Sequence, residues 1–381
     1  MENNWESKLI QIGIIGGGQL GRMFIQEAIS FDVNVHVLDG DINAPCKEIA
    51  HSFTHGSILD YHAVFNFGKN KDIITVEIEN VNIEALEDLE KMGKKVYPQP
   101  HVLRTIKDKG IQKLFYQQNG IPTSPFVLIE NKDDLTKKIK NYPAVQKLRT
   151  GGYDGKGVFV IKNEAELINA FNNRSILEEY VPFQKELAVI VARNQRNEIV
   201  SYPVVECEFN DVANLVEMLF SPADVDQSVE DEAQRIARKV IESLDMIGIL
   251  AVEFFLTKDN QLLVNEIAPR PHNSGHHTIE CNRTSQFEQH CRAILGMPLG
   301  ATELIQCGAM INLLGEPGFE GQVRYTGLLE SMKIDGVHPH LYGKKETKAF
   351  RKMGHITISG KNLEIVKEIA HKVKGMVKVI A

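Results

Sequence analysis

A chain of 381 residues is long enough for two or three domains, and its 43% hydrophobic and 24% charged content is that of an ordinary globular protein. Its net charge of −7 argues against a large nucleic-acid footprint, although local basic groups and backbone N–H can still bind small anions. Cys46, Cys207, Cys281, Cys291 and Cys307 are widely spaced with no C-x-x-C, which argues against a disulfide framework or structural zinc and for a reducing cytoplasm.

The first apolar run, residues 9–15 (LIQIGII), is broken by glycine too soon for a signal segment, and no stretch approaches the roughly 18 apolar residues of a membrane helix. The run predicts a buried strand, followed by a helix over 19–31 and a strand over 33–38. A further strand at 73–78 and a helix at 83–92 follow. Such alternation predicts a doubly wound parallel sheet ending near the prolines at 98 and 100.

Gly16-Gly17-Gly18-Gln19-Leu20-Gly21 fits G-x-G-x-x-G between strand and helix, with Asp39 closing the next strand. Without Cβ atoms the backbone can turn tightly and present N–H groups to an anion. Three readings stay open at this point: a dinucleotide site, a packing turn, or a seat for a small phosphate or ribose ligand.

Beyond residue 100 a helix carries Lys107, Asp108, Lys109 and Lys113. Strands at 126–129, 144–147 and 158–161 then mix with helices at 133–140 and 164–172. Lys147-Leu-Arg-Thr-Gly151-Gly152-Tyr153-Asp154-Gly155-Lys156-Gly157 packs four glycines and two lysines after a strand. Such a loop can fold over a triphosphate with N–H groups and lysines together. It is not a Walker A loop, and a plain hairpin needs neither so much glycine nor so much positive charge. Glu178-Glu179-Tyr180-Val181 ends another strand, offering carboxylates and backbone amides for an adenine edge and ribose hydroxyls. Glu186 follows in the next strand.

Strands at 187–193, 199–205, 249–256 and 261–267, with a helix at 229–245, give an α+β pattern. Ala251-Val-Glu253-Phe-Phe255 and Leu263-Val-Asn265-Glu266-Ile267 read as a hairpin turned by Asp259-Asn260. An acid in an apolar strand is costly unless paired or metal-bound, so Glu253 and Glu266 are candidate magnesium ligands. Pro269-Arg270-Pro271-His272-Asn273-Ser274-Gly275-His276-His277 follows: an anion-binding arginine and neutral-pH proton carriers on a proline-stiffened loop, with no thiolate to suggest zinc. After residue 299 the composition predicts short strands and turns through Ala381.

GGGQLGRM, TVEIENV, GGYDGKG, VEFF, VNEIAPRPHNSGH and RKMGHI together resemble the ATP-grasp superfamily, and within it the 5-(carboxyamino)imidazole ribonucleotide synthase family of purine biosynthesis, over residues 12–358. The resemblance implies three domains: 1–100, a Rossmann-like ribonucleotide domain; 101–298, the ATP-grasp domain; and 299–381, a small β-rich C-terminal domain. It implies ATP- and bicarbonate-dependent carboxylation of aminoimidazole ribonucleotide in the cytoplasm by a homodimer that needs neither nucleic acid nor membrane.

The same resemblance implies that Gly18, Gln19, Leu20, Glu77, Tyr153 and Asp154 meet the ribonucleotide, with Glu79 close by. Lys109, Lys147, Gly152, Tyr153, Asp154, Gly155, Lys156, Gly157, Val158, Glu178, Glu179, Tyr180, Val181, Glu186, Asn265 and Glu266 would surround ATP. Glu253 and Glu266 would hold Mg²⁺ or Mn²⁺. Arg270, His272 and Asn273 would hold bicarbonate and carboxyphosphate, and Lys344, Arg351 and Lys352 the ribonucleotide phosphate. Asp108-Lys109 stands where the family usually has Asp-Arg, which alters adenine-side contacts, and Phe209 stands near a family histidine. The nearest rival is another ATP-grasp ligase, such as a formate-dependent transformylase. An NAD oxidoreductase and a non-catalytic nucleotide-binding regulator are the rivals of other classes.

Overall fold

The computed structural model describes residues 10–152, 157–210 and 215–381. The N-terminal part is a five-stranded sheet in the order Ser52–His55, Asn34–Asp39, Gln11–Ile15, Ile73–Val76, Lys95–Val96, with every neighbouring pair parallel. Helix Gln19–Ala28 and helix Ile83–Lys91 fall on the stretches predicted for them. The sheet order reverses between Gln11–Ile15 and Ile73–Val76, so the turns after these two strands open at a topological switch point, where such sheets bind ligands.

A four-stranded antiparallel lobe follows, ordered Phe126–Ile129, Ser175–Glu179, Ala144–Leu148, Val158–Ile161. Its own small core includes Ile129, Leu135, Ile161 and Leu177. Residues 164–172, predicted as a helix, hold only the 3₁₀ segment Glu164–Asn169.

The largest sheet runs Leu262–Ala268, Gly248–Thr257, Phe183–Arg193, Val205–Asn210, Leu215–Ser221, Cys307–Leu314, Lys352–Gly360, Val337–Leu341, with Ile199–Ser201 pairing at the side of Phe183–Arg193. Helix Gln227–Ser243 buries Val229, Ala233, Ile236, Ala237, Val240 and Ile241 against it, the spacing of a single helical face. Strand Leu215–Ser221 pairs antiparallel with Cys307–Leu314, so one sheet crosses residue 299.

The C-terminal stretch also differs from short strands and turns, because residues 363–376 form a helix. Asn362 caps it through the Ile365 N–H, and Val366, Ala370 and Val373 bury its inner face against Ile311, Leu313, Ile356 and Ile358. Among the described residues no helix is long and apolar enough to cross a membrane, and the cysteines are unpaired.

Candidate active site

The hairpin of Gly248–Thr257 and Leu262–Ala268 sets Glu253 opposite Glu266, so both carboxylates stand on one face. Asn260 takes the left-handed conformation, φ 57°, that its turn requires. On the other side of Gly248–Thr257, Ala188 faces Glu253 and Glu186 faces Phe255, which puts Glu186 on the same face. Burial and the charge of Glu266 push Glu253 up to about 7. Burial and Glu253 push Glu186 up to about 8. Burial alone would raise Glu266 too, but Lys109, whose Nζ lies 2.5 Å from its Oε1, and Lys147 hold it below the usual carboxylate range.

Carboxylates opposed in this way repel one another, and a hard cation relieves that repulsion. Among the described residues no three acid, histidine or cysteine side chains converge closely enough to hold a metal alone. The donor set therefore suits an ion that also takes phosphate oxygens and water, as Mg²⁺ does.

Lys147 reaches the same floor from the four-stranded lobe, with Nζ 2.8 Å from Asn265 Oδ1 and 2.8 Å from Glu178 Oε2. Lys113 Nζ lies 2.6 Å from the other oxygen of Glu178. Burial would raise Glu178, but the two ammonium groups outweigh it and hold the carboxyl at about 2. Burial brings Lys113 down to about 8 against the pull of Glu178. At the strand end the Glu178 carboxylate is thus buried between two lysines. Glu179 and Tyr180 are exposed beside it, and Val181 is half-buried.

Lys109 begins helix Lys109–Gln118 and lies at the acid floor, beside Glu266. Its N–H donates to the Arg149 carbonyl, while Asp108 caps the helix and receives the Arg149 guanidinium at 2.7–3.1 Å. Gly152, Gly157 and Val158 flank the glycine loop, whose base is closed by Leu148 N–H donating to Gly157 O. Tyr153, Asp154, Gly155 and Lys156 lie outside the described residues.

Beyond Ala268 the Arg270 Nε stands 2.8 Å from Glu79 Oε1, joining the strip to the N-terminal sheet. The His272 Nε2 lies 3.6 Å from Glu253 Oε1, and its Nδ1 is 2.9 Å from Ser274 Oγ. Burial, Arg270 and Lys352 hold the His272 imidazole well below its usual range, hence neutral. Asn273 is buried, and neither atom of its amide has a partner among the described residues.

Across the cleft, Gly17 N–H and Asp41 N–H both donate to Asp39, at 2.6 Å each. The acid that a dinucleotide fold would give to a ribose is engaged by the glycine turn. Leu20 N–H donates to Glu77 Oε1 at 3.1 Å, and a Cβ on Gly18 would come within 2.4 Å of that oxygen, so only glycine lets the two approach. Burial pushes Glu77 up to about 7, opposed by Arg270, the Leu20 N–H and Lys344, while Asp39 adds to the rise. Gln19 opens helix Gln19–Ala28, half-buried beside them.

Lys344 donates to the Lys352 carbonyl at 2.7 Å, and both lysines act on the cleft acids: Lys344 on Glu77 and Lys352 on Glu253. Arg351 donates to the Glu346 carbonyl at 2.6 Å. Asp108, Arg149 and Lys113 were named along the sequence but given no place in the site. The helix-start position of Asp108 was the available signal.

Three family models match successive stretches of the chain: the ribonucleotide synthetase preATP-grasp domain over 9–107, the ATP-grasp domain over 114–287, and the phosphoribosylaminoimidazole carboxylase C-terminal domain over 308–369. The N5-carboxyaminoimidazole ribonucleotide synthase of Bacillus subtilis (strain 168) is 39% identical, with 95% of this chain and 94% of that protein covered. The chain belongs to the N5-carboxyaminoimidazole ribonucleotide synthase family. It is an ATP-grasp ligase.

The chloroplastic phosphoribosylaminoimidazole carboxylase of Vigna aconitifolia is 41% identical over 94% of this chain, which spans 65% of that longer protein. Among solved structures, the synthetase from Thermotoga maritima superposes with a TM-score of 0.91 at 42% identity, covering 98% of this chain and 99% of that one. The Aspergillus clavatus synthase, solved with ADP and 5-aminoimidazole ribonucleotide, gives 0.89 at 32%, covering 97% and 98%. The parallel N-terminal sheet, the ATP-grasp body and the C-terminal part are the three-domain architecture of this family.

Proposed function

We propose that the chain carboxylates the exocyclic amine of 5-aminoimidazole ribonucleotide with ATP and bicarbonate, through carboxyphosphate. The observation that carries this reading is the Arg270–Glu79 contact at 2.8 Å. It joins the strip that follows the Glu253–Glu266 pair to the N-terminal turn, so an activated acid and a ribonucleotide would adjoin in one cleft.

Glu253 and Glu266 would hold Mg²⁺, or Mn²⁺, whose chemistry there is to neutralise charge on ATP phosphates. Lys109 and Lys147 add positive charge on the same side, and the 151–157 loop, with Glu179–Val181, would enclose the nucleotide. A bicarbonate oxygen attacks the γ-phosphorus and the bond to the β,γ-bridging oxygen breaks, giving ADP and carboxyphosphate. Arg270 and Asn273 would hold the carboxyl oxygens, Arg270 with its planar fork. The ribonucleotide amine then attacks the carboxyl carbon, phosphate leaves with the C–O bond electrons, and the nitrogen loses a proton. Neutral His272 suits an acceptor role near that carbon. Glu77, Gln19 and the amides of the glycine turn would orient the ribonucleotide, with Lys344, Arg351 and Lys352 toward its phosphate.

The family resemblance supports a homodimer, while the net charge and the unpaired cysteines support a cytoplasmic enzyme of small molecules. An ADP-release assay with bicarbonate, formate or amino acids, each with and without the ribonucleotide, tests the assignment. Label from bicarbonate should appear in product. Turnover with formate and no incorporation of label would refute it.

A further inference from the structure

Gln286, the first residue of helix Gln286–Leu295, is fully buried and shares no sequence motif with the cleft. Its side chain nevertheless meets the peptide of His272. His272 N–H donates to Gln286 Oε1 at 2.8 Å, and Gln286 Nε2 donates to the His272 carbonyl at 2.7 Å. Two such bonds to the N–H and C=O of one residue are what a neighbouring strand would supply. Beyond Ala268 the chain has left the sheet, and here a side-chain amide takes the place of that neighbour. The same Nε2 lies 3.1 Å from His276 Nδ1, which makes that nitrogen the acceptor.

The seat of the amide is closely fitted. A Cβ on Gly275 would lie 2.5 Å from Gln286 Oε1. Gln286 N–H donates to Thr278 Oγ1, and that hydroxyl donates to the Gly275 carbonyl. An amide satisfies both groups of His272 at once, because it carries a donor and an acceptor on one planar group, as only a protonated carboxyl otherwise does. Small displacements at a reacting centre cost large factors in rate, so a group that fixes this peptide fixes the aim of the side chains on either side of it.

We propose that Gln286 is a positioning residue for the acid-binding strip, holding the His272 peptide and with it Arg270, His272 and Asn273 in their reacting orientation. The inference rests on the strip holding the carboxyl group, as proposed above.

Gln286→Glu tests this through pH. Toward His272 a protonated carboxyl reproduces the amide, accepting from His272 N–H and donating to His272 O, while neutral His276 takes the tautomer with its proton on Nδ1 and donates to the same oxygen; a carboxylate sets two lone-pair oxygens against the His272 carbonyl. His272 and His276 face the introduced carboxyl from the loop, with His290 one turn along its own helix. Beyond His276, the C-terminal strands bring the stacked rings of His355 and His340. Burial keeps His276, His290 and His355 neutral, and Arg270 and Lys352 are the nearest cations, acting on His272 and His276.

Gln286→Glu should therefore approach wild-type kcat at pH 6 and fall about a hundredfold below it by pH 8.5, with KM for ATP unchanged. Gly275→Ala, whose added methyl displaces the amide while keeping the Gly275 N–H that donates to the His272 carbonyl at 3.0 Å, should lower kcat at every pH and also spare KM for ATP. A Gln286→Glu/wild-type kcat ratio independent of pH, or a KM for ATP that rises with the loss of kcat, overturns the proposal. If Gln286→Glu does not fold, Gly275→Ala alone decides, and wild-type kcat in it is then the refuting result. His272→Ala separates the two levels. If it turns over normally, the reading of the strip is wrong; if it is crippled while both other variants are normal, only the role of Gln286 falls.

Discussion

Glu253 is the carboxyl whose titration should be felt most directly in the stability of the chain. Its proton is held to about pH 7, against an ordinary 4.5, by burial and by Glu266 opposite. A carboxyl that binds its proton more tightly folded than unfolded contributes stability fully below the unfolded value, and that contribution is lost as pH rises through the folded one. The window is therefore pH 4.5 to about 7. Roughly two and a half pH units at about 1.4 kcal/mol each give about 3.5 kcal/mol lost across it when the protein is assayed without ligand. Glu253→Gln is nearly isosteric and cannot ionise. At pH 5 the variant should melt close to wild type, and at pH 8 it should melt several degrees higher. Glu77, also raised, titrates in both proteins and cancels in the difference, whereas Glu186, raised partly by Glu253, is relieved in the variant and adds to its gain at pH 8. Thermal or urea midpoints at the two pH values, without and with MgATP, measure it. MgATP should stabilise wild type at pH 8 and leave the variant nearly unmoved. A variant-minus-wild-type difference that stays the same at both pH values would refute the account of Glu253.

Glu266→Gln should lower kcat about a hundredfold or more and raise the Mg²⁺ requirement, since a charged ligand oxygen facing Lys109 becomes a neutral amide. Normal activity at limiting Mg²⁺ would exclude a ligand role. Arg270→Lys should keep the ATP Kd and lose about 2–4 kcal/mol in kcat/KM, because a lysine cannot both hold Glu79 and present a planar fork to the carboxyl group. Titration of ATP beside steady-state rates separates the two quantities. Lys113→Met removes one of two cations from a carboxylate that is 3% exposed, and should cost about 3 kcal/mol of stability, read as a lower urea midpoint. A variant as stable as wild type would show that Lys147 alone satisfies Glu178.

The features that could be read from the sequence are those whose partners lie close along the chain. The hairpin that carries Glu253 and Glu266 follows from two apolar strands and the Asp259-Asn260 turn between them, but the turn's register alone would set Glu253 opposite Asn265; a bulge between Glu253 and Phe254, which no residue pattern announced, brings Glu266 opposite instead. The glycine turn at 16–18 was equally visible, but spacing cannot tell where a carboxylate spends its hydrogen bonds. Asp39 is used by backbone N–H groups, and Glu178 by Lys113 and Lys147.

Contacts between distant segments left no local signature. Arg270 meets Glu79, and Cys307–Leu314 pairs with Leu215–Ser221, through folding alone. The helix at 363–376 is a different kind of miss. Leu363, Val366, Ile369, Ala370, Val373 and Met376 recur at helical spacing after the capping Asn362, a pattern that composition averages away.

The large sheet also limits how the chain can be cut. Ending it near residue 299 would strip Cys307–Leu314 from Leu215–Ser221, turning an interior strand into an open edge. That edge would carry Met218, Leu219 and Phe220, all buried in the intact chain. An apolar edge with unpaired N–H and C=O groups is a template for pairing with other chains. A fragment holding only the first two family-model matches should self-associate, and a soluble version would need polar or proline substitutions along Leu215–Ser221 before its nucleotide binding could be measured.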